Sequence, residues 1–117
     1  MIKRSEIFEY TQMQFGVAPD FPFKGFPHYA VLRHAGGGKW FALVMNVAKD
    51  KVRLEGSSTI DILNIKCAPQ KADYLKSKPG FRPAYHMNKQ HWLTVLLDEG
   101  AKHEVFDLLT ESYFLTK

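Results

Sequence analysis

The stretch from Lys39 to Val47 constrains the fold of this sequence more than any other. It reads Lys-Trp-Phe-Ala-Leu-Val-Met-Asn-Val, which makes an extended strand strongly apolar on both of its sides. Strands of this kind are buried on both faces, so we predict that it lies inside a sheet and not at an edge. A strand pattern from His28 to His34 precedes it, and three glycines separate the two. We therefore predict a hairpin.

The glycine run, Gly36 to Gly38, also invites comparison with a phosphate-binding loop. A P-loop needs the pattern Gly-x-x-x-x-Gly-Lys-Ser/Thr between a strand and a helix. Here a second strand follows the glycines, so turn chemistry favours a hairpin tip. The neighbouring Arg33, His34 and Lys39 make that tip basic and suited to contact with a phosphate backbone.

Helices are predicted near both ends of the chain. Ser5 to Phe15 has apolar residues at near-helical spacing, with Ser5 as the N-cap and Gly16 after the last turn. Ala101 to Leu115 has an apolar stripe at i, i+3, i+4, i+7 and i+8, with its acids on the opposite side. The other predicted elements are an extended loop at Pro19–Pro27, an extension of the ladder at Val52–Leu54, a strand at Ile60–Cys67, a short helix at Gln70–Lys76 after Pro69, and a strand at Trp92–Leu97.

This order of elements predicts an α+β fold, a two-layer sandwich in which a mostly antiparallel sheet carries the N- and C-terminal helices on one face. The other face of the sheet is predicted to be polar and cationic. A length of 117 residues fits a single domain, 1–117. No apolar run approaches the roughly 20 residues that cross a bilayer, and no signal peptide is visible. We expect a cytoplasmic protein with no membrane partner. The sequence leaves the oligomeric state open and is compatible with a monomer.

Catalytic and metal-binding patterns are absent at recognisable spacing, so we predict no enzyme, no metal and no cofactor. The single cysteine, Cys67, rules out an internal disulfide and shares the apolar side of its strand with Leu63 and Ile65. We predict a buried, inert thiol. His86 and His91 are five residues apart, whereas zinc sites need three or four converging ligands.

Basic charge is concentrated in the middle of the chain. The formal net charge of the whole sequence is +4. Residues 21–89 hold twelve Lys or Arg against four Asp or Glu, for a net charge of +8, whereas residues 1–20 carry −1 and residues 90–117 carry −3. Such a distribution attracts polyanions to the middle segment and leaves the two ends out of the contact.

The chemistry is densest from Pro79 to Trp92, which reads Pro-Gly-Phe-Arg-Pro-Ala-Tyr-His-Met-Asn-Lys-Gln-His-Trp. Proline and glycine shape its backbone, so we predict a basic surface loop that leads into the next strand. Its cations suit phosphates. The Arg82 side chain suits a guanine edge, and the Asn88 side chain suits an adenine edge.

The same stretch resembles the most recognisable signature of the MmcQ/YjbR family of small bacterial proteins. Weaker similarities to that family lie in Gly38–Leu43, Leu63–Pro69 and Leu108–Tyr113. The resemblance implies a CyaY-like (frataxin-like) α+β fold. The predicted first helix holds only Glu6 and Glu9, whereas true frataxins have an acid-rich, iron-binding first helix, so the resemblance does not extend to iron handling.

The resemblance also implies a proposed DNA-binding role through a double-wing arrangement of hairpins. The residues that it places near nucleic acid are Arg82, His86, Asn88, Lys89 and His91. We therefore predict a DNA-binding protein that uses basic hairpin wings and the Pro79–Trp92 loop. Three cations from other segments complete the predicted site: Arg33, Lys39 and Lys66.

The alternative prediction is a module that binds a protein or a small ligand. It would use an aromatic cleft around Phe81, Tyr85 and Trp92, and the cations would only keep the fold soluble. Large aromatic side chains are usually buried, so these three residues are equally suited to anchoring the core.

Overall fold

The computed structural model describes all 117 residues and contains three helices and five strands. In chain order the elements are α1 (Arg4–Phe15), β1 (Ala30–Arg33), β2 (Trp40–Ala48), a 3-10 helix (Lys49–Val52), β3 (Thr59–Lys66), α2 (Pro69–Leu75), β4 (Phe81–Pro83), β5 (Trp92–Leu96) and α3 (Lys102–Leu115). The predicted α+β class is confirmed. None of the helices combines the length and the apolar character that crossing a bilayer requires.

All five strands form one sheet in the order β1-β2-β3-β5-β4, and every neighbouring pair is antiparallel. The strand predicted at Lys39–Val47 lies inside the sheet, beside the central β3, as expected. Leu32 pairs with Ala42 and Arg33 pairs with Trp40, so Phe41 is an extra residue on β2. This β-bulge lets Phe41 and Ala42 both pack in the same core.

The helices cover one face of the sheet and bury the larger of two hydrophobic cores. Its 19 residues come from all three helices, all five strands and the segments beside them. The terminal helices α1 and α3 also contact each other. Tyr10 stacks on Phe106 with 4.5 Å between ring centroids, and its hydroxyl lies 2.6 Å from Thr110 Oγ1. Both terminal helices therefore lie on one face, as predicted.

Local signals in the sequence set the helix ends, with one difference from the prediction. Gly16 ends α1 in the left-handed conformation, with φ at 67°. The N-cap of this helix is Lys3 and not Ser5, because the Glu6 side chain accepts a hydrogen bond from the Lys3 backbone N at 2.9 Å. Pro69 opens α2, where its missing N–H has no helical partner to lose.

The face of the sheet opposite the helices, called here the outer face, is apolar, so the prediction of a polar, cationic surface is wrong. Its buried residues form a second core: Val31, Leu43, Met45, Val47, Val52, Ile60, Ile62 and Leu96. The reason lies in β2 and β3, whose apolar residues point to both sides and need cover on both. Here the 3-10 helix and the loops around Phe23 and Tyr85 supply that cover.

Two element predictions also differ from the structure. The segment predicted to extend the ladder, Val52–Leu54, instead ends the 3-10 helix and turns at Arg53. Phe81–Pro83, predicted as loop, forms β4 at an edge of the sheet. An edge position tolerates Pro83, because one side of an edge strand makes no ladder hydrogen bonds.

Asp61 ties β3 to α1 and to β2. Its carboxylate accepts hydrogen bonds from Arg4 Nε at 3.0 Å, from Arg4 Nη2 at 2.9 Å and from Asn46 Nδ2 at 2.9 Å. Burial raises the pKa of Asp61, but the hydrogen bonds from Arg4 and Asn46 outweigh burial. The pKa therefore lies below its ordinary value of 3.8.

We expect acid to weaken the fold through Asp61. Because its pKa is lower in the folded than in the unfolded protein, its stabilisation is complete above about pH 4 and is lost as the pH falls through the folded-state pKa. Urea unfolding of the natural protein and of Asp61→Asn, from roughly pH 6 down to pH 2, measures this loss. The variant should be less stable near pH 6 and should lose less stability on acidification. An identical acid dependence in both proteins would contradict the assignment.

Candidate nucleic-acid interface

The loop between β4 and β5, residues 84–91, folds back over the outer face of the sheet. Two fully buried side chains hold it there. Thr94 Oγ1 accepts a hydrogen bond from Tyr85 N at 2.9 Å, and Asn64 Nδ2 donates to Tyr85 O at 2.9 Å. Thr94 Oγ1 in turn donates to Asn64 Oδ1 at 2.5 Å. One buried network therefore satisfies both backbone groups of Tyr85 and positions its ring over the sheet.

A basic pocket lies between this loop and the 3-10 helix. It has a volume of about 290 Å³, and four cations and a histidine line it: Lys51, Arg53, Arg82, Lys89 and His86. No carboxylate is part of its wall. Cations that converge in a concavity raise the local concentration of anions, so the pocket suits a phosphate group.

The ion pairs of the protein leave this pocket uncompensated. They join Arg4 to Asp61, Arg33 to Asp20, Lys71 to Glu111, Lys76 to Asp73, and Lys102 to Glu6. None of them includes a cation of the basic pocket. The positive charge there is therefore available to a ligand.

Two of the pocket cations also hold the protein together. Arg82 Nε donates to Val52 O and Arg82 Nη1 donates to Phe81 O, both at 2.8 Å, so the guanidinium joins the 3-10 helix to β4. Lys89 Nζ donates to Ala84 O at 3.0 Å. Arg82 Nη2 and the remaining ammonium protons of Lys89 can still donate to an anion.

The backbone is unusual at two positions of the basic pocket. Arg53 and His86, with φ at 59° and 55°, are the only residues other than glycine with positive φ. Such conformations are uncommon for residues that carry a Cβ atom, and they are enriched at binding sites. Here they turn both chain segments around the pocket.

An aromatic groove of about 430 Å³ adjoins the basic pocket on the outer face. Its walls include Phe23, Phe26, Tyr29, Trp40, Tyr85 and Met87. Phe23 meets Tyr29 and Trp40 edge-on, with 6.2 Å and 6.0 Å between centroids. Burial raises the pKa of Tyr29, with a smaller contribution from Tyr85, so its phenol stays protonated. Tyr85 and His86 line both the groove and the basic pocket.

The aromatic cleft predicted around Phe81, Tyr85 and Trp92 does not form. Phe81 is only 3% exposed and packs in the larger core, beneath the helices, whereas Tyr85 lies on the opposite face. Trp92 lines neither the aromatic groove nor the basic pocket. The groove instead draws most of its aromatics from loop 21–29 and the start of β2.

The three predicted cations from other segments lie outside the basic pocket. Arg33 ends β1 and pairs with Asp20 at 2.5 Å. Lys39 is exposed beside the β1–β2 turn, and Lys66 ends β3 near α3. The register puts all three at the same end of the sheet as loop 84–91. Arg33 on β1 and Arg82 on β4 are on opposite edge strands, however, about 19 Å apart in strand spacings, so the predicted cations do not gather at one point.

Asn88 and His91 shape the loop as well as being accessible. Asn88 Oδ1 accepts hydrogen bonds from Gln90 N at 2.8 Å and His91 N at 3.2 Å, so this oxygen is already occupied. Bidentate reading of adenine needs both the oxygen and the nitrogen of the amide. The side chains of Asn88 and His91 are both exposed. In this conformation, however, only the amide nitrogen of Asn88 is free to bind a base.

Sequence reasoning missed Lys51 and Arg53, which the structure adds to Arg82 and Lys89. The signal was present in part, because both lie in the basic middle segment. The sequence predicted an extension of the ladder at Val52–Leu54, and that prediction does not bring the segment near Arg82. The segments that hold Arg53 and Arg82 come together only because the 3-10 helix packs over the outer face.

Cys67 is buried in the larger core, which confirms the prediction of a buried thiol. Burial raises the pKa of this thiol, so it is protonated at neutral pH. No three side chains of His, Cys, Asp or Glu come together as ligands of one metal ion.

Comparison with known proteins identifies the family. A sequence profile described as YjbR matches residues 14–115. The chain belongs to the YjbR family. The Bacillus subtilis protein YyaQ is 40% identical over 118 residues, which cover all of both chains. The Escherichia coli O157:H7 protein YbdF is 36% identical over 59 residues, or 48% of each chain. Both YjbR relatives are uncharacterised, so they bring no activity with them.

Solved structures agree with this YjbR fold. A crystal structure of a Pseudomonas syringae protein is 41% identical, with a TM-score of 0.94 over 99% of this chain and 100% of that one. The Deinococcus radiodurans protein DR2400, from the domain family DUF419, has a TM-score of 0.73 over 98% of this chain and 78% of its own. At 22% identity, DR2400 supports the fold alone.

Proposed function

We propose that this YjbR protein binds DNA through the outer face of its sheet and that it is a binding protein of the cytoplasm and not an enzyme. The observation that carries the proposal is the basic pocket. Segments 51–53 and 82–89 bring four cations together there, none in an ion pair and with no carboxylate in the wall. A phosphate backbone is the common cellular ligand for such a surface.

The four cations would act mainly through phosphates. Lys51 and Arg53 are exposed and have no carboxylate partner, so phosphate binding would release their counterions. Arg82 and Lys89 are already oriented by the backbone carbonyls that they contact, which lowers the entropy lost on binding. Affinity from these contacts should carry little sequence preference.

The β1–β2 turn extends the proposed surface. It emerges from the same end of the sheet as loop 84–91, and β3 runs between the two hairpins. Counted in strand spacings, the two connections are about 14 Å apart. Lys39 at the first connection and His91 at the second are exposed and would contact the DNA backbone outside the basic pocket. This is the arrangement expected of two wings.

We expect Lys51→Gln combined with Arg53→Asn to weaken DNA binding. Asn tolerates the left-handed backbone at position 53, so the pair of changes removes charge without disturbing the turn. Fluorescence anisotropy of labelled single and double strands of about 16 nucleotides measures affinity from about 50 mM salt upward. The slope of log K against log salt should become shallower by about 1.4 for the single strand or 1.8 for the duplex.

The matched control combines Lys71→Gln on α2 with Lys76→Gln at the C-cap of that helix. It removes the same charge from the helical layer, where both lysines are ion-paired. The control should bind DNA like the natural protein. The proposal fails if neither strand form binds near 50 mM salt, or if control and pocket variant lose the same affinity.

A further inference from the structure

We propose that the DNA this protein binds is single-stranded, with unpaired bases stacked in the aromatic groove while the adjoining phosphates occupy the basic pocket. The inference rests on the proposed function and adds the class of substrate. It comes from the continuity of the two cavities, whose shared wall is Tyr85 and His86.

The shared wall joins an apolar surface to a cationic one within two residues. The Tyr85 and His86 rings lie 4.1 Å apart between centroids, at an angle of 76°. On one side of them are the pocket cations, and on the other are the rings of the groove. A nucleotide has the same two parts, a flat apolar base joined to an anionic phosphate. Proteins that bind single strands combine a cationic track with aromatic platforms for the bases.

The groove also exposes the face of an aromatic ring. Phe26 stacks on Tyr29 with 4.7 Å between centroids and 19° between planes, and it is 54% exposed. A ring packed on one face and open on the other is a platform for a further flat group. Pro22 and Pro27 flank this segment and restrict its backbone, so the platform is largely formed before a ligand arrives.

Base stacking distinguishes a single strand from a duplex. In a duplex the base faces are stacked on each other, and a protein reaches only their edges through the grooves. Splayed, unpaired bases expose the faces that aromatic side chains bind. A groove lined by rings is therefore of use to a single strand and of little use to an intact duplex.

The charge next to the groove argues against an apolar protein partner as its occupant. An exposed apolar groove by itself suits many partners. This one opens onto four cations with no acidic residue in the wall, which favours a ligand that is apolar and anionic at adjacent positions.

Phe26→Leu tests the stacking directly, because it keeps an apolar side chain and removes the ring. Fluorescence anisotropy should show that the natural protein binds an oligothymidine of about 16 nucleotides more tightly than an AT duplex of equal length. Phe26→Leu should weaken the binding of the single strand about fivefold or more. In a Trp92→Phe background the remaining tryptophan, Trp40, lies in the groove, so its fluorescence should be quenched by the single strand.

The control is Phe21→Leu, an equally exposed phenylalanine of the same loop that does not line the groove. It should bind like the natural protein. Duplex binding that matches or exceeds single-strand binding, or full affinity in Phe26→Leu, would overturn the inference. The proposed function would stand without the inference if Phe26→Leu kept full affinity while the variant with Lys51→Gln and Arg53→Asn showed a shallower salt slope. Failure of both DNA forms to bind would remove both proposals.

Discussion

Asn64→Ala is expected to lower the free energy of unfolding by about 2–4 kcal/mol. The Asn64 amide makes two hydrogen bonds on the buried outer face, one to Tyr85 O and one from the Thr94 hydroxyl. Truncation leaves a carbonyl and a hydroxyl without their partners, and each such group costs about 1–3 kcal/mol when water cannot replace the partner. The same change frees loop 84–91 from the sheet.

Chemical denaturation measures the stability loss, and the DNA assays measure its functional consequence. Both the basic pocket and the aromatic groove have walls in this loop, so Asn64→Ala should also weaken DNA binding although Asn64 touches neither cavity. Gln90→Ala is the control, since Gln90 is exposed in the same loop and its change should stay within about 0.5 kcal/mol.

A second variant makes the Asn64 prediction quantitative. Thr94→Val removes the hydroxyl that joins Asn64 to Tyr85 N. Because the two side chains belong to one network, the double variant should lose less than the sum of the single losses, with a coupling of about 0.5–3 kcal/mol. Additive losses would show that the buried hydrogen bonds do not act together.

Ser112→Ala is expected to lower the free energy of unfolding by a similar amount, about 2–4 kcal/mol. Ser112 on α3 is fully buried, and its hydroxyl joins the helix to two strands. It donates to Phe41 O at 2.5 Å and accepts from Lys66 N at 2.8 Å. The β2–β3 ladder ends at the pair Ala42 and Ile65, one residue before Phe41 and Lys66. Ser112 supplies the partner that the neighbouring strand does not, so alanine would leave two backbone groups unpaired.

Thermal and urea unfolding of Ser112→Ala and of Ser5→Ala compare a bonded serine with an exposed one. Ser5 lies at the start of α1, and its replacement should change stability by less than about 0.5 kcal/mol. DNA binding by folded Ser112→Ala should be unchanged, because Ser112 lies on the helical side of the sheet. Equal stability of the two variants would mean that the junction of α3, β2 and β3 does not depend on the Ser112 hydroxyl.

The sequence predicted the basic chemistry of the candidate site but only some of the residues that form it. The stretch that holds Arg82, His86 and Lys89 stood out because proline, glycine and cations follow one another there. Lys51 and Arg53 carried no comparable local signal. The sequence placed Phe26 in an extended loop and Trp40 in a buried strand, and ring type alone does not tell which face of a sheet a residue will cover.

The sequence by itself determined the layers of this protein. Four local signals act over a few residues: helical apolar periodicity, extended apolar runs, glycine at a helix end and proline at a helix start. They therefore identify α1, α2, α3 and the hairpin strands without reference to the rest of the chain. Only the tertiary structure decided what covers the outer face. Polar groups such as Asn64 and Thr94 bind backbone that lies many residues away, and the cost of leaving them unpaired folds loop 84–91 over the sheet. These long-range hydrogen bonds of buried polar groups bring the aromatic groove and the basic pocket together, and no local sequence pattern predicts them.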